Sequence, residues 1–190
     1  MERYDDKKYT YADSLEMGEG VRVEIIHGVL YKPSTPWTAH QVALRELFMS
    51  IANGWKDWRH SLYYLPLDVR LFEKDGDAPE DVDTVVEPDI MVVLDSNKID
   101  KRGIKGAPDW IIEILSDDTR RHDKITKREL YQEAGVREYW IVEPDYHYVE
   151  VFILNNGILE PVELYSETDT AKCSVLPQLA IDMSVIFPEV

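Results

Sequence analysis

Two carboxylates stand out because each lies within or directly beside an apolar run. Glu113 is the one charged residue of residues 110–115, Trp-Ile-Ile-Glu-Ile-Leu, and such a run is typical of a strand that is covered on both faces. Asp89 follows Pro88 and leads into a second apolar run, residues 90–94. Burying an ionised carboxylate is unfavourable unless a cation or hydrogen-bond donors compensate it. Each position therefore predicts a partner, unless Glu113 lies at a strand end and reaches water or an arginine.

The two carboxylates would meet if their strands are neighbours in a sheet. Mutual repulsion in a low dielectric then favours either a shared proton or a bound divalent cation. Hard carboxylate oxygens suit Mg²⁺ or Mn²⁺. A pair of acids also hydrolyses glycosidic bonds, but a lysine has no role in that reaction.

A lysine on the next predicted helix is the third candidate. Asp123, Lys127, Tyr131 and Ala134 are spaced by four, four and three residues, which places them on one helical stripe. Because Tyr131 and Ala134 are the natural sheet-packing residues, Lys127 should point toward the strand that carries Glu113. In the alternative interpretation, Asp123 and Lys127 form a surface ion pair worth about 0.3 kcal/mol.

The elements that must position these side chains form a mixed α/β pattern. We expect residues 103–106 to be a loop, His122 and His147 to face solvent, and the C-terminal tail to dock through apolar residues that include Val185. The predicted helices are 11–17, with Thr10 and Asp13 as its capping box, 37–53, introduced by Pro36, and 122–134, followed by Gly135 as its C-cap. The predicted strands are 21–26 and 29–32, paired as an N-terminal hairpin, then 62–72, 87–94, 110–115 and 138–142, and finally 148–154 and 158–165, paired as a C-terminal hairpin.

Length and composition restrict the class of protein. The 190 residues, 44% of them hydrophobic, predict one domain, and the single cysteine, Cys173, excludes an intramolecular disulfide and a cysteine-based metal cluster. No apolar run approaches the ~18–20 residues that span a bilayer, and the charged N-terminus predicts no signal peptide. We therefore expect a cytoplasmic protein without a membrane partner.

The charge distribution bears on nucleic-acid binding. The net charge of −16 repels phosphate and by itself disfavours DNA. Residues 98–128 nevertheless hold nine of the 21 basic residues against six acidic ones, so a local basic strip on an acidic body remains an alternative to an ordinary solvated surface.

Five short motifs, taken in order, resemble a known family. They are Glu24-x-Ile26-x-Gly28, Glu87-Pro88-Asp89, Glu113-Ile114-Leu115-Ser116, Asp123-x3-Lys127-x3-Tyr131-x3-Gly135-Val136 and Glu138-Tyr139-Trp140. The ordered set, over about residues 10–165, resembles the bacterial Uma-type family of putative restriction endonucleases. That resemblance implies a PD-(D/E)XK nuclease-like core, in which a mixed sheet flanked by helices presents an aspartate, a second acid and a lysine.

The resemblance assigns roles to particular residues. Asp89 corresponds to the first aspartate of the motif and Glu113 to its acidic residue, whereas Leu115 stands where the lysine normally lies. Lys127 is the best candidate to supply that missing charge. The metal ligands implied are Asp89, Glu113 and the main-chain carbonyl of Ile114.

Further residues are assigned by position in the motifs. Glu24 resembles an early glutamate of the family, which would hold a second metal, a water or Lys127. Residues expected to line the cleft or contact the substrate are His40, Asp123, Lys124 and Tyr131.

The function implied is Mg²⁺- or Mn²⁺-dependent hydrolysis of phosphodiester bonds in DNA. A homodimer is expected by analogy with restriction-type enzymes, with exposed apolar residues of the C-terminal hairpin as its interface. The alternative is a catalytically silent nucleic-acid or protein interaction module on the same fold, which the net charge and Leu115 favour.

Overall fold

A mixed β-sheet with helices on both faces organises the described part of the chain, which in this computed structural model comprises residues 2–3, 6–18, 20–33 and 37–187. The helices are α1 Tyr11–Glu16, α2 Thr38–Gly54 and α3 Arg128–Ala134, and a π-helix, His122–Lys127, leads directly into α3. The strands are β1 Glu2–Arg3, β2 Glu24–Ile26, β3 Val29–Lys32, β4 Leu62–Tyr64, β5 Val69–Arg70, β6 Ile90–Val92, β7 Ile99–Asp100, β8 Gly103–Lys105, β9 Trp110–Ile114, β10 Glu138–Glu143, β11 Tyr148–Asn155, β12 Ile158–Ser166, β13 Thr170–Lys172 and β14 Ala180–Asp182.

The main sheet places the strands of the two predicted carboxylates side by side. Within the described residues, its order is β12-β11-β10-β9-β6-β4. Strands β9 and β10 are parallel, with Ile112 opposite Trp140, and β9 pairs antiparallel with β6, with Ile112 opposite Ile90. Glu113 on β9 therefore lies one strand away from Asp89, which immediately precedes β6. The predicted mixed α/β sheet is confirmed.

Both faces of strand β9 are covered. Trp110, Ile112 and Ile114 pack in the core beneath α2, whereas Ile111 and Leu115 pack in the core beneath α3. Side chains alternate between the faces of a strand, so Glu113 projects toward the helix that carries Lys127. The apolar run predicted this double coverage correctly.

Both predicted hairpins are present. Strands β2 and β3 pair antiparallel around His27 and Gly28, whose φ angles are 48° and 78°. Strands β11 and β12 pair antiparallel around Asn156 and Gly157, whose φ angles are 50° and 82°. Two successive residues of positive φ form the tight turn whose twist matches that of the flanking strands.

The predicted helices are present with small changes. The Asp13 carboxylate accepts a hydrogen bond from the Thr10 main-chain N–H at 2.8 Å at the start of α1, and Gly135 ends α3 with a φ of 84°. Helix α2 begins at Thr38, with Trp37 as its N-cap, and Pro36, the residue expected to introduce it, lies outside the described residues. No helix among the residues described is long and apolar enough to cross a membrane.

Two predictions about elements and two about the exposure of side chains were wrong. Residues 62–72 form two short strands, because Pro66 between them cannot donate a ladder hydrogen bond. Gly103–Lys105 is strand β8 rather than a loop, since it pairs with β5, a partner distant in sequence. Val185 is exposed, although the tail around it docks into the core, and His122 is buried against Tyr31.

Candidate functional site

A buried lysine lies at the centre of a cluster of carboxylates. The Lys127 Nζ is 2.9 Å from Glu24 Oε1, 2.9 Å from Glu113 Oε1 and 3.7 Å from Asp123 Oδ1. Lys127 is only 3% exposed. This geometry rules out the surface ion pair that the spacing also allowed. It confirms that the stripe through Lys127 faces the sheet.

Glu113 is held by two donors from one helical segment. Its Oε1 accepts hydrogen bonds from Lys127 Nζ at 2.9 Å and from Tyr131 Oη at 2.6 Å. Lys127 and Tyr131 are four residues apart, which is about one helical turn. Both side chains therefore project from the same face of the helical segment and reach Glu113. Glu113 is 3% exposed, so the alternative of a carboxylate that reaches water at a strand end is excluded.

Asp89 is fixed by the neighbouring strand and by α2. Its Oδ2 accepts the Ile114 main-chain N–H at 2.7 Å and lies 3.1 Å from His40 Nε2. The first contact places the main chain of Ile114 beside the Asp89 carboxylate. His40 reaches it from the first turn of α2, so the prediction that His40 lines the same cleft agrees with the geometry.

The early glutamate joins the N-terminal hairpin to the site. Glu24 Oε1 contacts Lys127 Nζ and also accepts the Glu87 main-chain N–H at 3.0 Å. The Glu87 carboxylate in turn accepts a hydrogen bond from Arg22 Nε at 2.6 Å. Of the partners that the motifs allowed for Glu24, the described structure shows Lys127.

One pocket collects the predicted residues. Its lining includes Glu24, Asp89, Glu113, Asp123 and Lys127, together with His40, Ile114, Arg22 and Glu87. Tyr131 lies behind it as a donor to Glu113. Lys124 is not brought to the pocket, because its Nζ lies 2.7 Å from Glu150 Oε1 and 3.1 Å from Tyr148 Oη on strand β11.

Negative charge exceeds positive charge in this pocket. Four buried carboxylates, Glu24, Asp89, Glu113 and Asp123, face the single buried ammonium of Lys127, which leaves an excess of three negative charges when all four are ionised. Burial raises the pKa of Glu113 well above its usual range, against the opposing effect of Lys127. Burial likewise raises the pKa of Asp123 to about 6. The site thus favours protons or another cation.

The pKa values of the two basic residues, Lys127 and His40, are also raised, but by neighbouring carboxylates rather than by burial. Burial alone would lower the pKa of Lys127, but the carboxylates of Glu113 and Glu24 outweigh it and hold that pKa well above the usual range. The pKa of His40 is also raised, because the nearby Asp89 carboxylate outweighs the effect of burial. Lys127 is therefore a permanent cation at neutral pH.

The donor atoms fit a hard divalent cation. Glu24 Oε2 and Asp123 Oδ1 are buried without a hydrogen-bond partner among the described residues, and the excess charge is negative. Among the residues that the structure describes, no group of three His, Cys, Asp or Glu side chains is already arranged to hold a metal ion. Mg²⁺ commonly binds through one or two carboxylates and keeps several waters. The carboxylates of Asp89 and Glu113 with the main-chain carbonyl of Ile114 are therefore a suitable set of ligands.

The sequence interpretation gave no site role to two charged residues that line the pocket. Arg22 and Glu87 form an ion pair at its mouth, and the Arg22 side chain is 33% exposed. Arg22 is two residues before Glu24, so the alternation of an extended chain already predicts a common face for the two. The pairing with Glu87 joins distant segments and has no local signal.

Comparisons with known proteins agree with this architecture. The model of a family named Uma2 and described as "putative restriction endonuclease" matches residues 9–184. No curated protein matches the chain. Among solved structures, a crystal structure titled as a putative nuclease belonging to DUF820 from Anabaena variabilis is similar, with a TM-score of 0.72 and 21% identity over 94% of this chain and 97% of that one. At this identity, the likeness establishes the fold.

Proposed function

The chain belongs to the Uma2 family of putative restriction endonucleases, and on that premise we propose that it is a divalent-metal-dependent nuclease that hydrolyses phosphodiester bonds in DNA. One observation carries the proposal. Asp89, Glu113 and Lys127, which come from three separate elements, line one pocket that has an excess of negative charge. Lys127 thus supplies the positive charge that Leu115 cannot.

Three groups would hold the cation, Mg²⁺ or Mn²⁺. They are the carboxylates of Asp89 and Glu113 and the main-chain carbonyl of Ile114, whose N–H already contacts Asp89 at 2.7 Å. When bound, the cation would activate a water molecule and neutralise charge on the phosphate. His40 Nε2 lies 3.1 Å from the same Asp89 oxygen and would help to keep that carboxylate oriented.

Lys127 would stabilise the negative charge that develops on the phosphate oxygens or orient the attacking water. Its ammonium is held by Glu24 and Glu113, each at 2.9 Å, so the geometry exists before the substrate arrives. Such preorganisation is effective because no reorientation is needed during the reaction. Glu24 and Tyr131 act here as positioning residues, since they contact Lys127 and Glu113 respectively.

Arg22 would contact the substrate at the pocket mouth. Its Nε is bound to Glu87, and its side chain is one-third exposed. A guanidinium held in this way can present its remaining N–H groups to a phosphate oxygen. On a protein with a net charge of −16, such a local cation would offset part of the general repulsion of DNA.

Calorimetric titration with Mn²⁺ tests the metal site without any assumption about the substrate. We expect wild-type protein to bind Mn²⁺, Asp89→Asn to lose that binding, and Glu46→Gln to retain it, because Glu46 lies on α2 beside Arg45 and away from the pocket. Equal binding by wild type and Asp89→Asn would contradict the assigned ligand.

Cleavage assays distinguish the nuclease from the silent interaction module. Wild-type protein should cleave DNA in Mg²⁺ or Mn²⁺ and not in EDTA, and Lys127→Ala should lose cleavage while it retains Mn²⁺ binding. Capture of a partner without metal-dependent cleavage under any condition would favour the silent module.

The assembly and setting of the enzyme are part of the same proposal. We infer that the 190 residues act as one domain in the cytoplasm, where the free thiol of Cys173 stays reduced. Two copies would pair through strand β12, the edge of the main sheet, on which Val162 and Leu164 are exposed. A monomer by light scattering at high concentration would contradict the dimer.

A further inference from the structure

A second depression adjoins the pocket of Asp89 and Glu113. The two share His40 and Ser116 in their walls, so a bound polymer can extend from one into the other. The second depression lies at the start of α2 and also borders residues after strands β9 and β10. Its lining is Trp37, Thr38, Ala39, His40, Leu115, Ser116, Asp117, Pro144 and Asp145.

An exposed tryptophan forms one wall of this depression. Trp37 is 71% exposed, whereas Trp110 and Trp140 are fully buried against each other in the core. Exposing an indole leaves a large apolar surface in water, which is unfavourable. Its flat face suits another flat ring, and nucleobases stack on such side chains regardless of sequence.

Main-chain N–H groups that precede the helical hydrogen-bond pattern belong to residues of the same lining. The first helical hydrogen bond of α2 runs from the Gln41 N–H to the Trp37 carbonyl at 3.2 Å, so the N–H groups of Thr38, Ala39 and His40 precede the helical pattern. In addition, His40 Nδ1 is buried and has no hydrogen-bond partner among the described residues. These groups can bind the sugar-phosphate link between two nucleotides.

Another part of the lining is acidic and disfavours a second phosphate backbone. Asp117 and Asp145 line it, and both lie near the same Arg120 guanidinium, at 3.3 Å and 3.6 Å. Arg120 also pairs with the buried Glu143, so carboxylates outnumber it. A duplex binder needs many phosphate contacts, which this acidic part and the net charge of −16 oppose. A base is a better occupant than a phosphate.

We propose that this second depression is a nucleotide subsite, in which the base next to the scissile phosphate leaves its stack and lies on Trp37. The substrate would then be single-stranded or frayed DNA rather than a continuous duplex. This inference rests on the proposed nuclease site, because that site places the scissile phosphate in the adjoining pocket.

Fluorescence anisotropy tests the subsite through binding alone. The probes are a labelled single-stranded oligodeoxynucleotide and a hairpin duplex of the same length, with Ca²⁺ present to balance the carboxylates. We expect the wild type to bind the single strand more tightly than the hairpin. Trp37→Leu should weaken single-strand binding by roughly ten- to hundredfold, the range that loss of one stacked base implies.

Two variants serve as controls. Trp37→Phe keeps an aromatic face and should stay within about threefold of wild type. Tyr64→Leu removes another exposed aromatic ring, 53% exposed and outside both depressions, and should bind like wild type. Thermal unfolding of Trp37→Leu should be unchanged, since the side chain is mostly in water.

Three outcomes would overturn the inference: Trp37→Leu binds like wild type, the hairpin binds as tightly as the single strand, or wild-type protein binds neither probe. None of them affects the Mn²⁺ titration at Asp89. Failure of the subsite and failure of the metal site can therefore be told apart.

Discussion

Replacing Lys127 with methionine should destabilise the protein strongly at neutral pH. Methionine keeps most of the side-chain volume but removes the one ammonium that faces Glu24, Glu113 and Asp123. At 2.9 Å and an effective dielectric constant of about 20, one such pair contributes about 6 kcal/mol of Coulomb energy. Desolvation of the buried ammonium offsets several kcal/mol of that. We expect a net loss of about 3–5 kcal/mol in the free energy of unfolding.

The loss should depend on pH in a defined direction. Without the ammonium, the pKa of Glu113, which burial already raises, rises further, and protonation at low pH removes the repulsion. Urea denaturation of wild type and Lys127→Met at pH 5 and pH 8 measures this. The difference between the two proteins should be larger at pH 8, and added Mg²⁺ should reduce it.

Lys124→Met is the matched control, because Lys124 lies in the same helical segment and also contacts a carboxylate, that of Glu150, but remains 28% exposed. A partly exposed pair of this kind contributes at most about 1 kcal/mol. If Lys127→Met lost no more stability than Lys124→Met, or if its loss did not change with pH, Lys127 would not be compensating a buried excess of negative charge.

Three further predictions follow from the buried polar groups. Mn²⁺ affinity, measured by calorimetry from pH 8 to pH 5, should fall as the pH is lowered, because protons compete with the metal at Glu113, whose pKa burial raises, and because the neighbouring Asp123, with a pKa of about 6, loses negative charge in this range; constant affinity would refute this. Burial lowers the pKa of His122 to about 3, below its unfolded value of about 6.5, so the protein should lose stability as the pH falls from about 6.5 toward 3. His122→Phe removes this group and should lose less stability than wild type between about pH 7 and pH 4 in urea denaturation. Glu138→Ala should lower the free energy of unfolding by about 3 kcal/mol, since the buried carboxylate accepts hydrogen bonds from an indole and from two main-chain N–H groups of the C-terminal segment; a loss below about 1 kcal/mol in thermal denaturation would argue against it.

Local pattern was enough to identify the central acids and the lysine. A lone glutamate in the apolar run of β9 marked Glu113, and the spacing of Lys127 from Tyr131 placed the lysine on the sheet-facing stripe. Both inferences succeeded because side-chain direction within one element follows from its own periodicity. Turn residues with positive φ, such as Asn156 and Gly157, likewise marked a hairpin without outside information.

The partners of these residues were decided by pairing between distant segments. No local rule predicts that Arg22 meets Glu87, that strand β8 pairs with β5, or that His122 is buried beside Tyr31. Each depends on which surfaces meet when the chain closes on itself, and the sum of packing and desolvation over the whole core sets that outcome.

The sequence by itself therefore determined that Glu113 lies within a strand covered on both faces and that Lys127 lies on the sheet-facing stripe of its helix. Only the tertiary structure decided that the Lys127 ammonium lies among three carboxylates. It also decided that the exposed indole of Trp37 lies next to their pocket. The physical reason is that charge balance and pocket shape arise between elements, whereas periodicity acts within one.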